Sequence, residues 1–321
     1  MEHRGLLDIE NLSVRYPEGE TVLHDVSLHI HSGQIVCVIG ESGCGKSTLL
    51  NAILRMPGRV DITGGSVLYK GDDIISYPPE KLRKIRGAGI GMVFQEPGAS
   101  LDPIRKIGVQ FYETLRAHEK TSRRKANSKA RELFRRLNLP DGERILNSCP
   151  VQLSGGMNQR VAIALAMALH PDVLLADEPT SALDVTVQAQ IVDELLRLRD
   201  EFGTAILLVT HNIGVVAKMA DKIAVMYGGE VVEFGLRKSV LESPMHPYTR
   251  ALISAIPRLD GTAPIGIAGQ KPERVSKVGC AFAPRCKYAN EQCATRKMKQ
   301  IPIKDGHWTL CAAGLKGGES N

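Results

Sequence analysis

Residues 35–48 read IVCVIGESGCGKST: five consecutive apolar residues from Ile35 to Ile39, then Gly40-Glu41-Ser42-Gly43-Cys44-Gly45-Lys46-Ser47-Thr48. The apolar run has the pattern of a short strand buried on both faces, and the stretch from Lys46, KSTLLNAIL, reads as a helix. Between them the spacing G-x-x-x-x-G-K-[ST] is complete. Its glycines permit a turn whose backbone N–H groups point inward as an anion nest, and the helix N-terminus adds partial positive charge. This assigns Lys46 to the β- and γ-phosphates of a nucleotide and Ser47 to Mg²⁺. Cys44 lies beside Lys46 and the helix start, an environment that lowers a thiol's pKa; it reads as a reactive side chain or, equally, as a small residue at a position that tolerates many.

Working outward, residues 6–16 and 22–30 alternate apolar and polar around the turn signal Pro17-Glu18-Gly19, the pattern of an antiparallel hairpin. Residues 64–70 and 91–94 read as further strands. Over 101–139 the spacing turns helical, with Ala126, Ala130, Leu133, Phe134 and Leu137 at steps of three and four. This predicts a helical insertion. Residues 173–176, VLLA, form another buried-strand candidate and end in Asp177 and Glu178, at a strand edge where one acid holds Mg²⁺ and the other orients or deprotonates water. Helix and strand then alternate through 185–202, 205–209, 212–219, 223–226 and 231–234, which predicts a mostly parallel sheet covered by helices.

Composition narrows the function classes. The 321 residues are 43% hydrophobic and 24% charged, values of a folded chain. The longest wholly apolar run, 161–169, is far below the roughly 18 residues that span a bilayer. MEHRGLLDIE offers no signal-peptide core, so a cytosolic location is expected, with any membrane role supplied by a partner. Residues 116–136 hold nine Lys and Arg against Glu119 and Glu132, which reads as a solvated helix face or as a surface for an anionic partner. Four of the seven cysteines, Cys280, Cys286, Cys293 and Cys311, fall near the end in the spacing C-x5-C-x6-C-x17-C. In a reducing compartment such clustering suggests metal before disulfide, and four thiolates satisfy either Zn²⁺ or an iron–sulfur cluster. His307 is an alternative zinc ligand, and buried free cysteines are the plainest reading.

Between the phosphate loop and the acid pair lies Leu153-Ser154-Gly155-Gly156-Met157, and with it the chain resembles the ATP-binding-cassette (ABC) ATPases over roughly residues 6–256. The resemblance rests on an ordered set: the phosphate loop, Gln95 after a strand, the LSGG signature, the acid pair, Ser181-Ala182-Leu183-Asp184 and His211. It implies an α/β P-loop cassette with a RecA-like core, an antiparallel β subdomain and a helical subdomain at about residues 97–160, spanning 1–235, followed by a Cys-rich appendage at 236–321. It also implies that two cassettes meet head to tail. Each ATP then lies between one subunit's phosphate loop, Gly40 to Thr48, and the other's Ser154, Gly155, Gly156 and Met157, where a second helix N-terminus faces the γ-phosphate. Residue by residue, Tyr16 matches the aromatic that stacks on adenine, Gln95 the residue at Mg²⁺ and water, and Glu178 the general base. His211 matches the γ-phosphate switch, and Asp184 the link between the two sites. Mg²⁺ is expected at Ser47, Gln95 and Asp177. Met157 stands where the signature commonly has Gln.

A narrower resemblance, to the oligopeptide and dipeptide importer ATPases, rests on Met157, on residues 96–110 and on Ser243-Pro244-Met245-His246-Pro247-Tyr248-Thr249-Arg250-Ala251-Leu252. Dipeptide-type members carry a similar cysteine array that holds a [4Fe-4S] cluster, so the resemblance favours that cofactor over Zn²⁺. The implied partners are two permease subunits, a second cassette ATPase and an extracytoplasmic peptide-binding protein, with this chain at the cytoplasmic face of the membrane. Nickel or a metal chelate is the alternative cargo. A soluble ABC ATPase acting on nucleic acid is the alternative class, which the single cassette disfavours; no nucleic acid is expected.

Overall fold

The computed structural model describes residues 5–17, 19–58, 60–181, 183–255, 266–267, 269, 278–296 and 298–311. Glu18 and Ala182, named in the sequence motifs above, fall outside them. In chain order the elements are β1 (Leu7–Arg15), β2 (Thr21–Ile30), β3 (Ile35–Ile39), α1 (Lys46–Ile53), β4 (Asp61–Tyr69), β5 (Asp72–Asp73), α2 (Pro79–Ile85), β6 (Ile90–Val93), α3 (Ile107–Arg116), α4 (Arg123–Arg136), α5 (Gly142–Asn147) and α6 (Gly155–Ala166). They continue with β7 (Val173–Asp177), α7 (Val185–Phe202), β8 (Ala205–Val209), α8 (Ile213–Met219), β9 (Lys222–Tyr227), β10 (Glu230–Leu236), α9 (Arg237–Glu242), α10 (Pro247–Ser254), α11 (Glu291–Thr295), β11 (Ile301–Pro302) and β12 (Trp308–Thr309). The chain divides into two compact units, Met1–Asp8 with His29–Ile35 and Val67–Val209, and Ile9–Leu28 with Val36–Ser66 and Thr210–Asn321.

In the first unit β8, β7 and β6 lie side by side and run parallel, with Ile90 opposite Val173 and Asp177 opposite Val209. Every residue of β7 and β8 is buried, which is what a strand covered on both faces requires of VLLAD and AILLV. Parallel pairing brings the carboxyl ends of these strands to one edge, the place where α/β sheets present ligand-binding groups. Helices α3, α4 and α5 form the helical insertion, closed by an edge-on contact of Phe111 with Phe134 at 5.4 Å. The apolar stripe of α4, Ala126, Ala130, Leu133 and Phe134, is buried as its spacing predicts. Its basic face is laced to acids: Arg131 with Glu143 and Arg136 with Glu132 and Glu201. Hydrogen bonds from Arg136 hold the carboxyl groups of Glu132 and Glu201 below their ordinary pKa. The local basic excess is thus in part neutralised on the surface.

In the second unit Ser13 faces Asp25 and Asn11 faces Ser27 across β1 and β2, the antiparallel register of the expected hairpin. Strand β3 pairs β9 in parallel, with Val36 opposite Lys222 and Ile39 opposite Val225. From β9 onward the pairing reverses: β9 with β10, β10 with β12 and β12 with β11 are all antiparallel. The expectation of parallel pairing therefore holds for β6, β7 and β8 in the first unit and for β3 with β9 in the second, and fails beyond β9. Gly228 and Gly229, both at positive φ, turn the chain straight back between β9 and β10, and a tight hairpin can only be antiparallel. The end of the chain then adds two-residue strands to the same edge.

Candidate nucleotide site and the cysteine-rich end

The second unit carries the phosphate loop. Gly40 has φ 155° and Gly45 φ 103°. A Cβ would lie 2.2 Å from Met226 O at the first and 2.6 Å from Leu23 Cδ2 at the second, so only glycine fits. Gly45 is also the N-cap of α1 and supplies no side-chain hydrogen bond to the helix. Lys46 is 6% exposed, and its Nζ donates to Gly40 O at 2.8 Å and Glu41 O at 2.9 Å, with Cys44 Sγ 3.8 Å away. The ammonium therefore sits inside the loop, where a phosphate would exchange for these acceptors. Ser47 is exposed, and the Tyr16 hydroxyl shares a 3.1 Å hydrogen bond with Thr48 Oγ1, setting an exposed aromatic beside the loop's helix. Cys44 is 2% exposed, which corrects the expectation of a reactive thiol: it fills the space under Gly40 instead of facing solvent. His211 is exposed, just after Thr210, whose N–H bonds Val38 O, and just before Asn212, which caps α8.

The first unit carries the acids and the signature. Asp177 ends β7, 7% exposed. Glu178 follows in the left-handed region at φ 42°, held there by its N–H to Val209 O at 2.8 Å and by Ser181, whose N–H and hydroxyl both reach its carbonyl. A glutamate in that region stores strain, a frequent mark of functional positions. Gln95 Nε2 donates to Glu178 Oε2 at 3.4 Å, so these two candidates meet. Ser154 is the N-cap of α6 and accepts from Met157 N at 3.3 Å, leaving Gly155 with open space around its Cα. Asp184 caps α7 through Val187 N at 2.9 Å. Of the expected Mg²⁺ set, Ser47 belongs to the second unit and Gln95 and Asp177 to the first. A pair missed by the sequence reading joins the two helices: Arg160 of α6 donates to both oxygens of Glu194 of α7, a carboxylate with no solvent exposure. No local spacing signals such a pair; a Glu amid the apolar positions of α7 is the one available hint.

The cysteine-rich end is built on β10. Glu233 is wholly buried, and its carboxylate accepts from Met245 N, His246 N and His307 Nε2, each at 2.8 Å. His246 caps α10, and burial pushes its pKa down to about 4; its Nδ1 accepts from Tyr248 N, so the neutral ring directs Nε2–H toward Cys280 Sγ at 4.0 Å. Cys280, Cys286, Cys293 and Cys311 are free thiols that line one cavity of about 80 Å³. Burial raises the Cys280 thiol to about 11 and moves Cys286 the same way. Among the described residues no three His, Cys, Asp or Glu side chains are placed to hold a metal ion. His307, the alternative zinc ligand, is engaged with Glu233 instead. The ring cluster Tyr227, Tyr248 and Phe282 packs beside the cysteines, with centroids 4.6 to 5.4 Å apart.

Comparison with known proteins agrees with this geometry. The ABC transporter family matches residues 23–181, and the oligopeptide/dipeptide transporter C-terminal region matches residues 232–293. A putative peptide import ATP-binding protein of Brucella abortus is 42% identical over 330 aligned positions, covering 97% of this chain and 98% of that protein. The oligopeptide transport ATP-binding protein OppD of Haemophilus influenzae is 40% identical, covering 90% of this chain and 91% of its own. Among solved structures, the dimeric ATP-binding cassette MJ0796 in a post-hydrolysis state, bound to ADP and Pi, matches with TM-score 0.65 and 33% identity over 72% of this chain and 98% of that one. CbiO1 of Clostridium perfringens, part of the transporter complex cbiONQ, matches with TM-score 0.65 and 27% identity over 75% of this chain and 92% of its own.

Proposed function

We propose, because the chain belongs to the ABC transporter ATP-binding proteins and has their cassette fold, that it hydrolyses ATP to drive import of dipeptides or oligopeptides through partner permeases. The observation that carries this reading is a phosphate loop, signature and acid pair followed in one chain by the oligopeptide/dipeptide C-terminal region at 232–293. The cassette is assigned to 1–235, with its helical subdomain at about 97–160, and the extension to 236–321.

In this reading Lys46 and the amides of residues 40–47 bind the β- and γ-phosphates, and Tyr16 stacks on the base. Ser47, Gln95 and Asp177 would hold Mg²⁺, which supplies neutralisation of phosphate charge. A second cassette brings its Ser154 and the amides after it to the γ-phosphate. Glu178 then takes the proton of the attacking water, Gln95 steadies that carboxylate, and Lys46, Ser154 and His211 stabilise charge on the leaving phosphoryl group. Binding energy closes the cassette pair and hydrolysis releases it. Asp184 and the neighbouring Val185, 81% exposed, are assigned to the contact between cassettes. Among the described residues no helix is long and apolar enough to cross a membrane. The permeases are given the patch where Val151 N–H bonds Pro103 O, beside Ile104 and Val151, which are 81% and 68% exposed. In this reading the chain works peripherally at the cytoplasmic face, with a second related ATPase and an extracytoplasmic binding protein completing the importer.

A [4Fe-4S] cluster is assigned to Cys280, Cys286, Cys293 and Cys311. Supporting it is the donor set: four thiols that line one cavity of about 80 Å³. Each iron of such a cluster takes its own cysteine, whereas one Zn²⁺ draws four ligands to a single centre. When bound, the cluster ties four points of the extension together.

The test is co-purification. The tagged chain, extracted from native membranes in mild detergent, should bring two polytopic permeases and a second cassette, and vesicles containing the assembly should take up labelled dipeptide only with ATP. Recovery free of membrane proteins, with nucleic acid, would overturn the transport reading.

A further inference from the structure

Glu41 is an acid at the mouth of an anion nest. Glu41 belongs to the loop that must take up a polyphosphate, and Lys46 Nζ already binds its backbone carbonyl at 2.9 Å. Unpaired, such a carboxylate would repel the phosphates and compete with them for the ammonium.

Here it is not unpaired. Arg285 donates Nη1 to Glu41 Oε2 at 2.6 Å and Nη2 to Oε1 at 3.2 Å, a two-pronged pair in which the arginine side chain is 4% exposed. The guanidinium centre lies 5.9 Å from each of the rings of Tyr227 and Phe282, and Nη1 reaches the Tyr227 hydroxyl at 3.4 Å. The same loop residue is held a second time: Glu41 N–H donates to the hydroxyl of wholly buried Tyr248 at 2.8 Å. Arg285 and Tyr248 both come from the extension, 244 and 207 residues along the chain from Glu41. Arg285 ends the short helical turn Ala283–Arg285, between Cys280 and Cys286, and Cys286 N–H closes that turn on Ala283 O.

We propose that Arg285 is a positioning residue for nucleotide binding: it neutralises Glu41 and, with Tyr248, fixes the entrance of the phosphate loop from the cysteine-rich extension. The proposal rests on the reading that ATP occupies this loop. A bidentate guanidinium is the group suited to the task, because its fork matches a carboxylate and it stays charged in an apolar, ring-lined setting. By linkage the effect is mutual: whatever orders the Cys280–Cys286 turn strengthens nucleotide binding, and bound nucleotide steadies the turn.

The test measures the Kd for MgATP by titration with a fluorescent nucleotide and competition, on the full-length chain. Arg285→Ala should weaken binding by about tenfold, the loss expected when the part-exposed Glu41 carboxylate in the phosphate loop is left without its charged partner. Adding Glu41→Gln to that variant removes the stranded charge and should recover most of the loss. Arg285→Lys, which keeps the charge but not the fork, should fall between wild type and Arg285→Ala, and its melting temperature reports whether the extension still folds. Wild-type affinity in Arg285→Ala, or a loss that Glu41→Gln leaves unchanged in a chain with an intact melt, would overturn the proposal and leave the ATPase reading untouched. A wild-type chain that fails to bind MgATP would strike down both.

Discussion

Two helices of this molecule begin at a glycine-rich turn expected to meet phosphate, and they begin differently. At α1 the N-cap is Gly45, with no side chain to occupy the first amides, and the nearby ammonium is folded into the loop. At α6 the N-cap is Ser154, whose hydroxyl already accepts from Met157 N, and no Lys or Arg lies within residues 151–159. In the proposed reading the first start is a binding site in its own right, since the glycine-rich turn and the cation are present in one loop. The second is a finished helix end, stable alone, that can offer a hydroxyl and amides to a phosphate already held elsewhere. Affinity should therefore belong to α1 and commitment to turnover to α6.

The largest effect should come from separating the two roles. Glu178→Gln is expected to cut steady-state phosphate release by about a thousandfold while MgATP still binds, the scale of a lost general base. Light scattering with MgATP should then show a trapped pair of chains, and rapid turnover in that variant would refute the assignment. Lys46→Ala comes next, with MgATP affinity reduced by about a hundredfold because the cation inside the loop is gone; a titration that still saturates at wild-type concentrations would break the comparison at its first term. Ser154→Ala should leave binding to the single chain intact. It should lower turnover by about tenfold and abolish trapping on the Glu178→Gln background. It should also cost about 1 kcal/mol of stability through the lost cap, read from a urea melt. If it instead weakened binding to the isolated chain, the two helix starts would not differ as argued.

The smallest effect lies beyond the other end of α6. His170 has φ 50° and packs on Phe202, with centroids 4.4 Å apart. Desolvation, then the nearby Lys129 and Arg136, lower its pKa below the ordinary 6.5. The unfolded chain thus takes up the proton first, so this contribution to stability is present above pH 6.5 and is lost as pH falls through the folded value. His170→Asn, which accepts the left-handed backbone, should flatten the difference between urea melts at pH 7.5 and pH 5.5. An unchanged difference would show that the histidine does not carry it.

What was legible in the sequence was whatever repeats locally. The strand, loop and helix around Lys46, the buried run ending at Asp177 and the stripe of α4 were each read from a few neighbouring residues and fold as read. The two-residue strands β5, β11 and β12 are too short to show a period. The Arg160–Glu194 and Arg285–Glu41 pairs join residues 34 and 244 positions apart, and no spacing rule reaches that far. Cys44 misled for a related reason: the chemistry of its neighbours was visible, but not the packing of Gly40 over its sulfur. Glu41 of the loop and Glu194 of α7 are each held by a distant arginine, which only the third dimension reveals.

Glu233 shows what this implies for anyone who trims the chain. One buried carboxylate holds the start of α10 through two backbone amides and the far end of the molecule through His307. Cutting before residue 300 would remove one of the three partners of that buried acid and expose the edge of β10 that β12 covers to other molecules. A shortened version that precipitates would be reporting a missing cornerstone rather than an unstable enzyme.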